Sequence, residues 1–93
     1  MAKPSQAAPP DVDEPPVLRT DEEVRGTIAR NITRFREAAG LNMAELARKA
    51  GVTTIQVSRV ERGMHSPGVG LSLRIAQALG VTVEDLAAPP SGS

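Results

Sequence analysis

The sequence predicts an all-α protein with a single domain of about 70 residues. Apolar residues recur every three or four positions between residues 21 and 39, as they do on one face of an α-helix. Glycines and helix-capping residues then divide residues 40–88 into shorter helical segments, none of which alternates apolar and polar residues as a half-buried strand does. This pattern indicates five helices packed around one core.

The first predicted helix begins at Asp21, whose side chain is suited to cap a helix N-terminus, and carries Glu22 and Glu23 in its first turn. Its apolar stripe consists of Val24, Ile28, Ile32, Phe35 and Ala39. Gly40 then adopts readily the left-handed conformation that ends many helices. We therefore expect one amphipathic helix whose stripe faces the core.

Two short helices are predicted next. Asn42 and Glu45 have the spacing of a capping box, in which each side chain bonds a free backbone N–H at the helix start. Gly51 ends this helix after about two turns. Thr53 is suited to cap the following helix, which Gly63 ends. The expected inward residues are Leu46, Ala47 and Ala50 in the first of these helices and Val57 and Val60 in the second.

The fourth and fifth helices follow a loop of residues 64–67. The fourth is predicted to run to Gly80, with the inward residues Leu73, Ile75, Ala76 and Leu79. Thr82 and Asp85 repeat the capping-box spacing at the start of a brief fifth helix over Val83–Ala87. Two prolines, at 89 and 90, prevent its continuation.

The ends of the chain have a different composition from its middle. Residues 1–20 hold five of the eight prolines and scattered polar residues, so we expect a disordered, acidic arm there. Such an arm can in principle reach along DNA, but Asp11, Asp13 and Glu14 would repel phosphate, which favours a solvated tail. Residues 21–88 are the expected domain, and residues 89–93 a flexible tail.

The charges are distributed unevenly, although the formal net charge is zero. Residues 24–80 hold nine Arg or Lys and three Glu, which gives this segment a charge of plus six, and most acidic residues flank it. A basic domain suits a polyanionic partner. Phe35 is the single aromatic residue, which argues against a base-stacking surface for single-stranded nucleic acid.

Several other classes of protein are disfavoured. The chain has no cysteine, which excludes disulfides and thiolate metal sites, and His65 is its only histidine, so no metal site is expected. No apolar run is long enough to span a bilayer or begins the chain as a signal segment, so we expect a cytoplasmic protein. An enzyme is not expected, because the sequence lacks a set of nucleophile, base and metal ligands.

Residues 43–62 carry the functional prediction. The second and third helices are each too short to be stable alone, so they are expected to pack as a pair. A helix-turn-helix motif needs a sharp turn, a small residue where the helices touch and buried apolar positions. Gly51 provides the turn, and Ala47 allows close approach. In this motif the second helix lies in the major groove of DNA while the first crosses the backbone.

Several longer motifs occur in register with this one. They are RFREAAGLN at 34–42, AELARKAGVT at 44–53, SRVERG at 58–63, SP at 66–67 and IAQALGVTVEDL at 75–86. With these motifs the chain resembles the Cro and CI repressor type, or XRE-like, helix-turn-helix family. The resemblance implies a five-helix lambda-repressor-like domain that regulates transcription, as a repressor, by binding double-stranded operator DNA without a cofactor.

By this resemblance, the third helix, residues 54–62, is the recognition helix. The residues expected to contact bases are Thr53, Thr54, Ile55, Gln56, Ser58 and Arg59. Arg59 can pair bidentately with guanine, Ile55 can contact a thymine methyl group, and Thr54 and Ser58 can hydrogen-bond several bases. Gln56 lies at the edge of this face and suits either a base or a phosphate. The alternative is that all six are solvent-facing residues without a ligand.

The resemblance also implies contacts to the DNA backbone and a structural brace. The expected phosphate contacts are Asn42, Met43, Arg62, His65 and Ser66. Met43 departs from the family pattern, since many relatives have a glutamine there that bonds phosphate. Arg36 and Glu61 occupy positions where relatives have a partly buried ion pair between the first and third helices, which implies that they orient the recognition helix.

Two questions of partnership remain open at the level of sequence. One half-site gives little specificity, so we expect a weak homodimer on a palindromic or pseudo-palindromic operator, formed through the fourth and fifth helices. The apolar residues available for this contact are Leu71, Val81, Val83 and Leu86. The competing interpretation is a protein-interaction module, such as an antitoxin or a coactivator, built on the same helices.

Overall fold

A computed structural model describes residues 19–89, and over this range the chain is all-helical, as predicted. The helices are α1 (Asp21–Ala38), α2 (Met43–Ala50), α3 (Thr54–Glu61), α4 (Val69–Leu79) and α5 (Val83–Ala87). The predictions for residues 1–18 and 90–93 lie outside the described residues. None of the helices in residues 19–89 has both the length and the apolar character needed to cross a membrane.

Capping boxes fix four of the five helix starts, at Thr20, Asn42, Thr53 and Thr82. For α1 the sequence prediction was wrong by one residue, because Thr20 is the N-cap and Asp21 is the first helical residue. Thr20 Oγ1 accepts a hydrogen bond from Glu23 N at 3.0 Å, and Glu23 Oε1 accepts one from Thr20 N at 2.9 Å. This reciprocal pair satisfies two backbone donors, whereas Asp21 as N-cap would have no such partner in Val24.

The core contains side chains from every helix. Its largest fully buried members are Ile32, Leu46, Val57, Val60, Ile75 and Leu86. Ala47 and Ala50 of α2 are buried with them, and half-buried apolar residues such as Ile28 and Phe35 cover the edges. The buried residues of α2 and α3 hold these two short helices on α1 and α4, which is the packing that their length requires.

The packing register of α4 differs from the prediction. Leu73 was expected to face inward, but it is exposed, and the neighbouring Ser72 is buried. Successive helical residues are 100° apart, so Ser72, three positions before Ile75, lies on the same face as that core residue. Leu73, two positions before Ile75, points to the opposite side, and the core therefore accepts a serine and excludes a leucine.

Candidate nucleic-acid interface

The turn between α2 and α3 sets the angle at which α3 leaves the core. Gly51 has a φ of +72°, a left-handed conformation that a side chain would strain. This conformation lets Val52 N donate to Ala47 O at 2.9 Å, which closes the end of α2. Arg74 of α4 also donates, from Nη1, to Gly51 O at 3.3 Å. Arg74 was not singled out from the sequence, because nothing local connects it to a turn 23 residues earlier.

The two faces of α3 differ sharply in exposure. Val57 and Val60 are buried in the core, so the opposite face is open to a partner. The exposed residues of this segment are Thr53, Thr54, Ile55, Gln56 and Arg59, while Ser58 is half-buried. Ile55 leaves 61% of its surface exposed, which places a branched apolar side chain among polar ones. Ile55 and Arg59, one turn apart, point away from the core, while Thr54 and Ser58 flank them on one side and Gln56 on the other.

Thr53 and Gln56 have a second role that limits how they meet a ligand. Thr53 Oγ1 accepts a hydrogen bond from Gln56 N at 3.0 Å, and Gln56 Oε1 accepts one from Thr53 N at 2.9 Å. The two side-chain oxygens thus cap α3. The Gln56 amide nitrogen keeps its two donors for an acceptor on a partner. The Thr-x-x-Gln spacing that produces this cap was available in the sequence, although only Thr53 was assigned to it.

A bidentate ion pair joins α1 to the end of α3. Arg36 Nε lies 2.7 Å from Glu61 Oε2, and Arg36 Nη2 lies 3.0 Å from Glu61 Oε1. The side chains are 12% and 3% exposed, respectively. The hydrogen bond with Glu61 raises the pKa of the Arg36 guanidinium and outweighs the lowering caused by burial. The pair is therefore fixed in one geometry and holds the C-terminal turn of α3 on α1.

Two further groups complete this brace. Thr33 Oγ1 donates to Glu61 Oε1 at 3.0 Å, and Arg36 Nη1 donates to Leu41 O at 2.8 Å. The Glu61 carboxylate thus has three donors, and the same guanidinium also holds the backbone between α1 and α2. Thr33 was missed at the level of sequence, because 28 residues separate it from its partner.

The residues predicted to contact phosphate are divided between two places. Asn42 is exposed at the start of α2, where its Oδ1 accepts from Glu45 N at 2.8 Å and its amide nitrogen remains available to donate. Arg62, His65 and Ser66 are exposed in the segment between α3 and α4. Met43 differs from them, because its side chain is half-buried against the core and carries no hydrogen-bond donor.

Arg48 and Lys49 at the end of α2 are also exposed. They add two positive charges to the helix-turn-helix pair and were not among the predicted contacts. Within residues 19–89, potential metal-binding side chains do not come together in groups of three or more.

Residues 32–86, which include α2, the turn and α3, match the HTH_3 helix-turn-helix family. The chain belongs to this family. The prediction of an XRE-like helix-turn-helix protein is thereby confirmed, and with it the fold class.

Among sequence relatives, the chain is 34% identical over 76 residues to a protein of Neisseria meningitidis named a hypothetical transcription factor. The match covers 82% of this chain and 72% of that protein. Relatives from bacteria and archaea carry names of uncharacterized helix-turn-helix transcriptional regulators.

Among solved structures, the restriction-modification controller protein C.AhdI from Aeromonas hydrophila has a TM-score of 0.64 and 27% identity. The match covers 67% of this chain and 94% of C.AhdI. An HTH_3 family transcriptional regulator from Vibrio cholerae has a TM-score of 0.69 and 27% identity over 72% of this chain, but only 38% of the Vibrio protein is covered. Apo-HppE is similarly matched over 37% of its length, with a TM-score of 0.64. The same fold thus also occurs as one part of longer chains.

Proposed function

We propose that this protein is a sequence-specific, double-stranded DNA-binding transcription regulator, acting as a repressor, that inserts α3 into the major groove. The observation that carries the proposal is the division of α3 into two faces. Val57, Val60 and the Arg36–Glu61 pair hold one face on the domain, and the other exposes a set of side chains able to contact bases. Base recognition requires a rigidly held helix, because a side chain distinguishes one base from another only when the geometry of their contact is fixed.

The exposed side chains of α3 have complementary chemistries. Arg59 presents a planar guanidinium that suits the O6 and N7 atoms of guanine, and Ile55 suits a thymine methyl group. Thr54 and the Gln56 amide nitrogen add hydrogen-bond donors. Ser58 contributes less, because it is half-buried. We therefore assign the main base contacts to Thr54, Ile55 and Arg59.

Contacts to the DNA backbone follow from the exposed groups on either side of α3. Asn42 precedes α2, and Arg62, His65 and Ser66 follow α3, so a duplex lying along α3 would meet both sets. Met43 can offer a phosphate only its backbone N–H, the first of α2, because its half-buried thioether side chain carries no donor. The proposed activity requires neither a cofactor nor a metal, and it takes place in the cytoplasm.

The test of the proposal is a binding titration of wild type, Arg59→Ala and Arg30→Ala on a duplex obtained by DNA selection and on random duplex. Arg30 is exposed on α1, so its replacement makes the same charge change on a different helix. Arg59→Ala is expected to weaken specific binding by about 1 to 3 kcal/mol, or roughly 5- to 150-fold, and Arg30→Ala much less. A protein-interaction module would instead bind both duplexes weakly and respond equally to both substitutions.

We also propose a weak homodimer on a palindromic operator. Its contact residues differ in part from those that the sequence predicts. Leu86 is 1% exposed, so the prediction that it forms the contact does not fit the structure, while Leu71 and Val81 are half-buried against the same core and offer less surface to a second copy. Val83 of α5 remains exposed. On α4 the exposed apolar residues are Val69 and Leu73, which expose 79% and 40% of their surfaces and lie one turn apart. We therefore assign the contact to Val69, Leu73 and Val83.

Because the chain has no cysteine, single cysteine substitutions report this contact directly. A residue close to a two-fold axis meets its own copy and can form a disulfide with it. Val69→Cys and Val83→Cys are expected to give oxidised dimers on operator DNA, with Arg30→Cys as the exposed control. Equal yields from all three variants would contradict the assignment of the contact to α4 and α5.

A further inference from the structure

The carboxyl end of α5 is held by side chains that precede it by more than 50 residues. Asn31 is 3% exposed. Its Nδ2 donates to Leu86 O at 2.8 Å and to Ala88 O at 2.7 Å, and Asp85 O is a third acceptor at 3.4 Å. Arg19 Nη2 donates to Ala87 O at 2.9 Å. These two side chains together bond all four carbonyl groups from residue 85 to residue 88.

Further hydrogen bonds fix the orientation of both donors. Asn31 Oδ1 accepts from Arg34 Nη2 at 3.0 Å, which turns the amide nitrogen toward the end of α5. Arg19 Nη1 donates to Thr27 Oγ1 at 3.2 Å, so one guanidinium joins α1 to α5. Thr27 is buried. These groups are therefore oriented for the carbonyls of α5.

α5 depends on these contacts more than a longer helix would. It has five residues, far fewer than an isolated helix needs, and the last four carbonyl groups of any helix lack partners within it. Leu86 is its only buried side chain. One apolar anchor leaves a short helix free to turn about that anchor, whereas bonds to its carbonyl end fix its direction. Arg19, Thr27 and Asn31 also lie outside residues 32–86, the part that matches the family.

We propose that Arg19, Thr27 and Asn31 form a clamp that sets the position of α5, and through it of Val83, for contact with a second copy of this chain. The inference rests on the proposed homodimer. The clamp lies on the α5 side of α1, while Thr33 and Arg36 bind α3 from another side of the same helix. Loosening the clamp therefore changes association between copies and leaves base recognition by α3 intact.

The experiment compares Arg19→Ala with Arg30→Ala, two replacements of exposed arginines that change the charge equally. Three quantities are measured: hydrogen exchange at the α5 amides of Leu86 and Ala88, self-association by sedimentation with and without operator DNA, and affinity for an isolated half-site. For Arg19→Ala we expect exchange to be about 3- to 10-fold faster and self-association to weaken by a similar factor, because one hydrogen bond to α5 is lost. Half-site affinity should equal that of Arg30→Ala, and Arg19→Lys should restore part of the protection.

Each outcome distinguishes the clamp from the proposed function. Equal exchange in Arg19→Ala and Arg30→Ala would show that Arg19 does not hold α5. Faster exchange with unchanged self-association would show that the clamp is structural only and would overturn the link to the second copy. If the wild-type protein binds no duplex specifically, the proposed DNA recognition fails, while exchange and self-association without DNA still test the clamp.

Discussion

Replacement of Arg36 by alanine tests the brace between α1 and α3. The substitution removes both hydrogen bonds to the Glu61 carboxylate, at 2.7 and 3.0 Å, and the bond to Leu41 O. Glu61 keeps only the Thr33 hydroxyl as a side-chain donor, although its side chain is 3% exposed. The variant therefore leaves a buried carboxylate without its counter-charge.

The size of the effect follows from this burial. Removing one partner of a buried ion pair costs about 3 to 5 kcal/mol. A domain of this size has a free energy of unfolding of roughly 4 to 10 kcal/mol, so the substitution removes about 30% of the stability or more. At about 4 to 8 °C per kcal/mol, the melting temperature should fall by at least 12 °C.

Thermal unfolding and urea titration, both followed by circular dichroism, measure this loss. Arg30→Ala on the exposed side of α1 is the matched control and should shift stability by less than about 0.5 kcal/mol. Arg36→Met/Glu61→Met removes both charges and should recover most of what Arg36→Ala loses, because no unpaired charge stays buried. A melting temperature of Arg36→Ala within a few degrees of the control would refute the reasoning.

Three further predictions concern the same domain. Gly26→Ala should raise the free energy of unfolding in urea by about 0.5 to 1 kcal/mol, because the new Cβ meets only the flexible end of Arg30 at 3.4 Å; a lower urea midpoint would contradict this. Ala47→Leu should lower the free energy of unfolding by about 1 to 3 kcal/mol, because the larger side chain overpacks the contact between α2 and α3. Ala44→Leu, at an exposed position of α2, is the control, and equal melting temperatures of the two variants would argue against close packing at Ala47. Since the pKa of Arg36 is raised, its contribution is complete at neutral pH and is lost only as the pH rises through that raised value. The stability difference between wild type and Arg36→Ala in urea should therefore be constant between about pH 6 and 9, and a steady decline over that range would contradict this.

Helix ends were predictable because their signals act within a few residues. Thr82 and Asp85 form the capping box that their spacing predicts, and Gly51 has the left-handed conformation expected of it. The start of α1 was misplaced because Thr20 and Asp21 are both good capping residues. The reciprocal bond from Glu23 decides between them, and its spacing was present in the sequence.

Contacts between distant residues were harder to predict. The segment of α4 has leucines at 71 and 73, on different sides of the helix. The positions of α1 and α2 decide which leucine packs on the core, and no local sequence pattern contains those positions. Asn31 stands beside a core isoleucine, but its partners are 54 to 57 residues away. Arg36 and Glu61 were paired through a family resemblance and not through their spacing, and that resemblance gave no sign of Thr33.

The bond between Asn31 and the end of α5 also bears on how the chain is made. Its partners are 57 residues apart, so α1 leaves the ribosome long before the segment that completes its environment. At about 5 to 20 residues per second, synthesis of that interval takes roughly 3 to 11 s. Small helical domains fold within about a millisecond once their contacts are available, so translation sets the pace of folding here. Until Leu86 is synthesised, one position in the core stays open, and the nascent helices have only a partly formed core to pack on.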